Sequence, residues 1–418
     1  MNITPLGIFQ LATSRLVVVI ALFACAFLPV HAASLADLTY RTTDGKVTIT
    51  FCERAAAGEL IIPGTIGGNP VTSIRDNSFY QCRNLTSITI PDSVTSIESG
   101  AFWECTSLTS VTFGANSKLT SIGGGAFRGC RSLKSIMVPD SITSIGVNAF
   151  YNCISLTGIK IPDGVTSIGD YTFRSCTSLT SITIPDSVTS IGEWTFADCS
   201  SLTSMTIGNG VTSIGHYAFY KCTSLTNITI PDSVTNIANS AFFECNSLTS
   251  ITIGNGVTSI GDGAFARCTS LTSITFLGTA PTVGVDNFPS LENGARAFVF
   301  NSTFGPNLGI WNGLKVVTLV AGADLTGADL SGADLSDADL SGADLSNLEA
   351  EDSNFTRVDL TGANLRGANL EGANLTGANL SNADLTDTDL EGVIYTNVIL
   401  SNVTTNNQVP LNMIEIKN

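Results

Sequence analysis

The chain has 418 residues and a formal net charge of −16, with 13% of residues charged and 43% hydrophobic. Apolar residues recur on a fixed period throughout, which excludes a disordered chain. The one long apolar run, Leu16 to Val30, is shorter than the roughly 20 residues a membrane-spanning helix needs.

In chain order, the first segment reads as an export signal. Arg15 precedes the apolar run, and Val30-His31-Ala32 sets small residues at the cleavage position. The alternative is a lipoprotein signal. Leu22-Phe23-Ala24-Cys25 resembles a lipobox, although Phe23 fits it poorly and Ala26 to Val30 stay apolar. Either reading takes the mature chain out of the cytoplasm, to the surface, the medium or the periplasm, and the second anchors it at Cys25. Cleavage after Ala32 removes His31 and leaves one histidine, His216. That leaves no His-based zinc site and little material for a Ser-His-Asp triad. His216 fills a slot held in other repeats by Asp170, Glu193 and Asp262, and so reads as a surface residue.

A repeat then takes over. Phe79, Phe102, Phe127, Phe150, Phe173, Phe196, Phe219, Phe242, Phe265 and Phe288 form a ladder with one constant step, lengthened once by an insertion within 114–118. A cysteine follows three positions after each of the first nine, from Cys82 to Cys268. In one unit, Leu179, Ile182 and Ile184 are spaced for a short strand, and Pro185-Asp186-Ser187 makes a turn. Val188 and Ile191 begin a second extended stretch, and Gly192 to Cys199 is long enough for one helical or 3₁₀ turn. No unit buries its apolar side alone, so the units must stack. These near-copies resemble the BspA-like, bacterial surface-antigen class of leucine-rich repeats over roughly 60–290. Residues 39–68 are similar to that family's N-terminal cap, and 279–313 to its closing repeat and C-terminal cap.

At Ala323 the period changes to five. Apolar residues recur from Leu325 to Leu400 in 16 units, without losing register through Leu348 to Val358. This stretch resembles a pentapeptide-repeat protein. The resemblance implies a right-handed quadrilateral β-helix with four units per coil. The expected fold is therefore a mainly β solenoid: a leucine-rich-repeat arc with short helical turns, followed by that quadrilateral helix. The expected divisions are a signal peptide over 1–32, a capped leucine-rich-repeat domain over 33–320, a pentapeptide β-helix over 321–402 and a tail over 403–418.

Ten cysteines remain after signal cleavage. Stacking in register sets neighbouring Cβ atoms about 4.8 Å apart, beyond the roughly 3.5–4.5 Å of a disulfide. Buried free thiols are the expectation. The slots around each Phe vary between repeats and collect the aromatic and arginine residues typical of binding hot spots. The candidate ligand-binding set is Tyr80, Trp103, Arg128, Tyr151, Tyr171, Arg174, Trp194, Tyr217, Tyr220 and Phe243. The competing reading is that Arg128, Tyr151 and Arg174 only cover one another by cation–π contact. The repeated Thr and Ser of the strands, such as Thr180, Ser181 and Thr183, offer a second face, for glycans or ice; their plainer role is to suit tightly stacked strands.

Residues 321–400 hold 11 Asp and 4 Glu against Arg357 and Arg366, a net −13. With four units per coil, Asp324 lies over Asp344 and Asp339 over Asp359. Each pair repels by about 0.9 kcal/mol in water, and Asn364, Asn369, Asn374 and Asn379 interrupt the columns. These aspartates are candidates for weak Ca²⁺ binding, against the plainer reading of a solvated acidic face. No other metal and no cofactor is implied.

No GxSxG, P-loop or GxGxxG stands in the chain, so the reading is non-enzymatic. It is an exported recognition or adhesion protein whose rigid repeat surface binds an extracellular protein or polysaccharide, with no nucleic-acid partner and no membrane span in the mature chain. One alternative is a structural spacer rod. The other is an acidic DNA mimic acting on a topoisomerase, which export would send to the wrong compartment.

Overall fold

The computed structural model describes residues 30–288, 296–299, 310–311, 314–319, 321–333, 335–336 and 338–406. The apolar run of the expected signal, its lipobox and most of the expected tail lie outside these residues, as does much of the expected C-terminal cap.

The chain is a β-solenoid. A single repeat unit cannot close a core, but parallel stacking pairs each repeat strand with its own copy. Ser181–Ile184 pairs in parallel with Ser204–Ile207, and Asn227–Ile230 with Ser250–Ile253, each residue opposite its repeat equivalent. A second ladder of two-residue strands, such as Ser190–Ile191 on Ser213–Ile214, runs along another side of the coil. Across the insertion the register is kept, with Ser96 opposite Ser121. The first ladder shortens to two residues at Ser135–Ile136 and Gly158–Ile159, where Met137 and Lys160 replace the threonine of the other units. An antiparallel hairpin, Leu38–Thr43 on Lys46–Cys52, covers the first coil. Ahead of it, His31–Ala32 pairs with Ala56–Ile61, so cleavage after Ala32 would take that strand from the cap.

The phenylalanine ladder is the spine of the core. Ring centroids from Phe79 to Phe288 lie 4.8–5.7 Å apart, stacked in an unbroken column. Beside it run buried columns of Leu, Ile, Val and Cys. All ten cysteines of the described region are buried and free. Each thiol from Cys105 to Cys268 donates to the carbonyl of a phenylalanine in the preceding coil, as Cys176 Sγ does to Phe150 O at 3.2 Å. Burial pushes the thiols of Cys130, Cys153, Cys176, Cys199, Cys222 and Cys245 up, to about 12 for Cys153, so these six are neutral at neutral pH.

The expected helical turn after Gly192 does not form. Trp194 and Asp198 take φ of 55° and 61°, which breaks a helix into successive tight turns. The reason is hydrogen bonding. Trp194, Phe196 and Asp198 donate their N–H groups to the next coil, at 2.9, 2.8 and 2.7 Å, while Ala197 and Cys199 close local turns onto Trp194 and Phe196. A helix would keep all of these donors to itself and leave the neighbouring coil's carbonyls unpaired.

Beyond residue 321 the bridges run from Asp324 with Asp344 through Asp384 with Thr404, each joining a residue to its counterpart four pentapeptides on, so four units make one coil. The central Leu and the Ala two positions before it fill the interior. Most corners are turns held by the Asp or Asn before the central residue: Asp359 Oδ1 accepts from the N–H of Thr361 at 3.0 Å. The final position of the unit has positive φ, 68° at Gly362 and 55° at Asn347, which is why Gly or Asn mostly stands there, although Asp352, Arg357 and Asp387 also adopt it.

The pentapeptide array does more than extend the end of the first. Thr229 Oγ1 donates to Gly332 O at 3.0 Å, Ser250 Oγ to Ser331 O at 3.3 Å, and Arg296 Nη1 to Thr326 O at 3.4 Å. Ser250, Thr252, Ser273 and Thr275 are at most 4% exposed, whereas Ser181, Thr183, Ser204 and Thr206 of earlier strands are open. The array thus lies back against the hydroxyl face of the last coils.

Candidate functional site

The variable slot around each phenylalanine folds into one ridge. The residue after the stacked Phe cannot enter the core, because the Phe ring already fills it. Where that residue is large it turns outward, and in the coils of Tyr171, Trp194 and Tyr217 the residue two before the Phe joins it. Tyr80 meets Trp103 at 5.1 Å between centroids. The Arg128 guanidinium lies between Trp103 and Tyr151, 5.1 and 4.9 Å from their ring centres. Arg174 reaches Tyr151, Tyr171 and Trp194, at 6.0, 5.7 and 4.5 Å. Trp194 stacks on Tyr217 at 4.2 Å and meets Tyr220 edge-on at 5.3 Å. Tyr220 stacks on Phe243 at 5.8 Å, and Arg267 lies over Phe243 at 5.2 Å.

All ten candidates from Tyr80 to Phe243 therefore fall into one continuous chain of ring and guanidinium contacts, and all are half-buried. The cation–π covering that competed with binding is present, and the outer edges of the same side chains still face solvent. Sequence reading missed three contributors: Arg54, which lies 5.7 Å over Tyr80, and Arg83 and Arg131 beside Trp103. Arg83 and Arg131 each follow a ladder cysteine, and comparing that slot across repeats would have found them.

Acidic residues in an adjacent coil hold most of the cations. Arg83 Nη2 is 2.7 Å from Glu104 Oε2, Arg174 Nε is 3.6 Å from Asp198 Oδ2, and Glu244 takes both Lys221 and Arg267. Hydrogen bonds from Arg83 and Gln81 hold the Glu104 carboxyl below its usual range. His216, between two coils of the ridge, is exposed.

The acidic columns of the pentapeptide array stack as the spacing required. Asp324 bridges Asp344 and Asp339 bridges Asp359. The Asp339 and Asp344 carboxylates already accept hydrogen bonds from their own turns, and Asn364 Nδ2 donates to Asp344 Oδ1 at 2.9 Å. Among the described residues no group of three or more His, Cys, Asp or Glu is arranged to hold a metal ion. A further acidic column went unread in the sequence: Glu351, Glu371 and Glu391 occupy the same position in successive coils. Repulsion from Glu351 raises the Glu371 carboxyl, with burial and Glu391 adding to it. No helix among the described residues is long and apolar enough to cross a membrane.

With the geometry in place, comparison with known proteins gives two matches to family models. The BspA type leucine-rich repeat region matches residues 72–203 and 166–293, and pentapeptide repeats match 320–349 and 353–392. Similar solved structures include a leucine-rich repeat protein of Bacteroides ovatus, 23% identical over 88% of this chain and 90% of that one, at a TM-score of 0.46. A leucine-rich repeat protein of T. pallidum is 27% identical over 58% of this chain and 91% of that one, at 0.34. A pentapeptide repeat protein of the cyanobacterium Cyanothece is 41% identical over 20% of this chain and 64% of that one, at 0.10. No curated protein sequence matches the chain.

Proposed function

Because the chain belongs to the BspA-type leucine-rich-repeat family and continues into pentapeptide repeats, we propose that it is an exported recognition protein. Its partner is an extracellular protein or polysaccharide, and its binding surface is the aromatic and arginine ridge. The observation that carries this reading is the unbroken contact chain from Tyr80 to Phe243. Binding by flexible side chains costs about 0.5–1.5 kcal/mol for each one ordered. Here the rings and guanidinium groups are held in place before any partner arrives. The competing hydroxyl face is partly used up inside the molecule, since Ser250, Thr252, Ser273 and Thr275 are buried under the pentapeptide array.

The test joins location to binding. Intact source cells are treated with protease and fractionated, and the purified chain is screened against immobilised matrix proteins and polysaccharides. The expected result is surface or secreted protein whose binding disappears when Trp103, Tyr151, Trp194 and Tyr220 are together changed to Ala, with the far-ultraviolet spectrum unchanged. Binding retained by that variant would remove the ridge from the reading. Cytoplasmic protein with an uncut leader would overturn export.

A further inference from the structure

Two arginines in the same slot of the ridge differ in what they pair with. Arg174 is paired with Asp198 of the next coil. Arg128 occupies the same slot, directly after a stacked phenylalanine, and the position that corresponds to Asp198 is held by Asn152. The carboxylate that serves Arg174 has a neutral amide in its place beside Arg128. Neither Arg128 nor Arg131 forms an ion pair among the described residues, although Arg83, Arg174, Lys221 and Arg267 all do.

The same coil lacks a side chain where its neighbours have one. The position two after each Phe reads Gln81, Glu104, Gly129, Asn152, Ser175, Asp198. At Gly129 the column has a gap, and around it opens a cavity of about 460 Å³. Trp103, Arg128 and Tyr151 form one wall, Glu104 and Asn152 flank the gap, and Arg131 stands exposed at the rim. With Arg83, three guanidinium groups face one carboxylate, a local surplus of positive charge in a chain of net charge −16.

We propose that this cavity binds a uronic-acid unit of an acidic polysaccharide, the sugar carboxylate taking beside Arg128 the place that the Asp198 carboxylate takes beside Arg174. The inference rests on the ridge as the binding surface and names its ligand class. Glu104 decides between a sugar and an acidic peptide. It is an anionic acceptor in the cavity wall, fixed by Arg83 and Gln81 at 2.7 and 2.9 Å. An aspartate or glutamate side chain brings no donor of its own for it. A uronate carries hydroxyl donors next to its carboxylate, so one ligand can satisfy Glu104 and Asn152 while its charge meets Arg128 and Arg131.

Calorimetric titration of the full chain with trigalacturonate tests this, with neutral galactotriose and a short aspartate-rich peptide as controls. The expected result is binding of trigalacturonate alone, weakened by added salt. Asn152→Asp should weaken it at least ten-fold by filling the vacant position from within. That variant should fold, since Asp198 already takes φ 61° where Asn152 takes 60°. Arg131→Gln, a change at an exposed side chain, should weaken binding as well. No heat from trigalacturonate, or equal affinity in both variants, would overturn the assignment. Tighter binding of the peptide than of the sugar would overturn the ligand class. A partner lost on changing Trp194 and Tyr220, in a chain that ignores trigalacturonate, would sink this cavity and leave the ridge standing.

Discussion

A single cysteine shows how repetition converts a residue into a structural part. Cys176 is fully buried, and its thiol reaches Phe150 O. That carbonyl also accepts the N–H of Cys153 at 3.2 Å, so the thiol adds a second bond and fills a gap of its own size. All ten thiols should therefore resist a thiol reagent under native conditions and react together only on unfolding, which a reagent titration with and without denaturant will read. Phe196 lies between two stacked rings at 5.5 Å. Phe196→Ala should cost about 3–5 kcal/mol, visible as a lower urea midpoint. In the acidic array the raised Glu371 carboxyl carries the opposite sign. A folded carboxyl that is raised contributes stability below its unfolded value and loses it as pH rises through the folded value. Mild acid should thus stabilise this array relative to neutral pH, and Glu371→Gln should remove that dependence and raise its melting temperature at neutral pH.

At the scale of the element, the turns are as constrained as the strands. Gly210 packs so closely on the preceding coil that a Cβ there would run into the Asp186 carbonyl. Gly210→Ala should force the coils apart and lower the melting temperature by several degrees, whereas Ala at Gly158, which faces open space, should change it little. Residue spacing showed where a turn must come but misjudged its kind at Gly192 to Cys199. Local propensity permits a helix there. The neighbouring coil's need for hydrogen-bond donors decides against it, and that need appears only once coils are stacked. The strand register of the repeats needed no such help, because each repeat strand pairs with a near-copy of itself.

At the scale of the molecule, the two arrays share a border. The hydroxyl groups of Thr229 and Ser250 bond to backbone carbonyls of the pentapeptide array, and Ser250, Thr252, Ser273 and Thr275 are buried against it. Thr252→Lys would place a charge inside this contact. It should release the array, read as faster proteolysis of the chain with both arrays still folded. The contact also leaves only part of the hydroxyl face open, on the earlier strands.

Sequence alone determined both solenoids, the pairing of each repeat residue with its copy in the next coil, the buried cysteines and the aromatic side chains of the ridge, though not all of its arginines. Each follows from a period, and a period in the chain becomes a column in space. Tertiary structure decided what periods do not encode: that the turns are not helical, that the acidic array folds back on the hydroxyl face, and that Arg128 lacks the carboxylate its counterpart Arg174 has. These depend on which side chains meet across coils and between arrays, where small departures from the repeat, such as Gly129 and Asn152, outweigh the repeat itself.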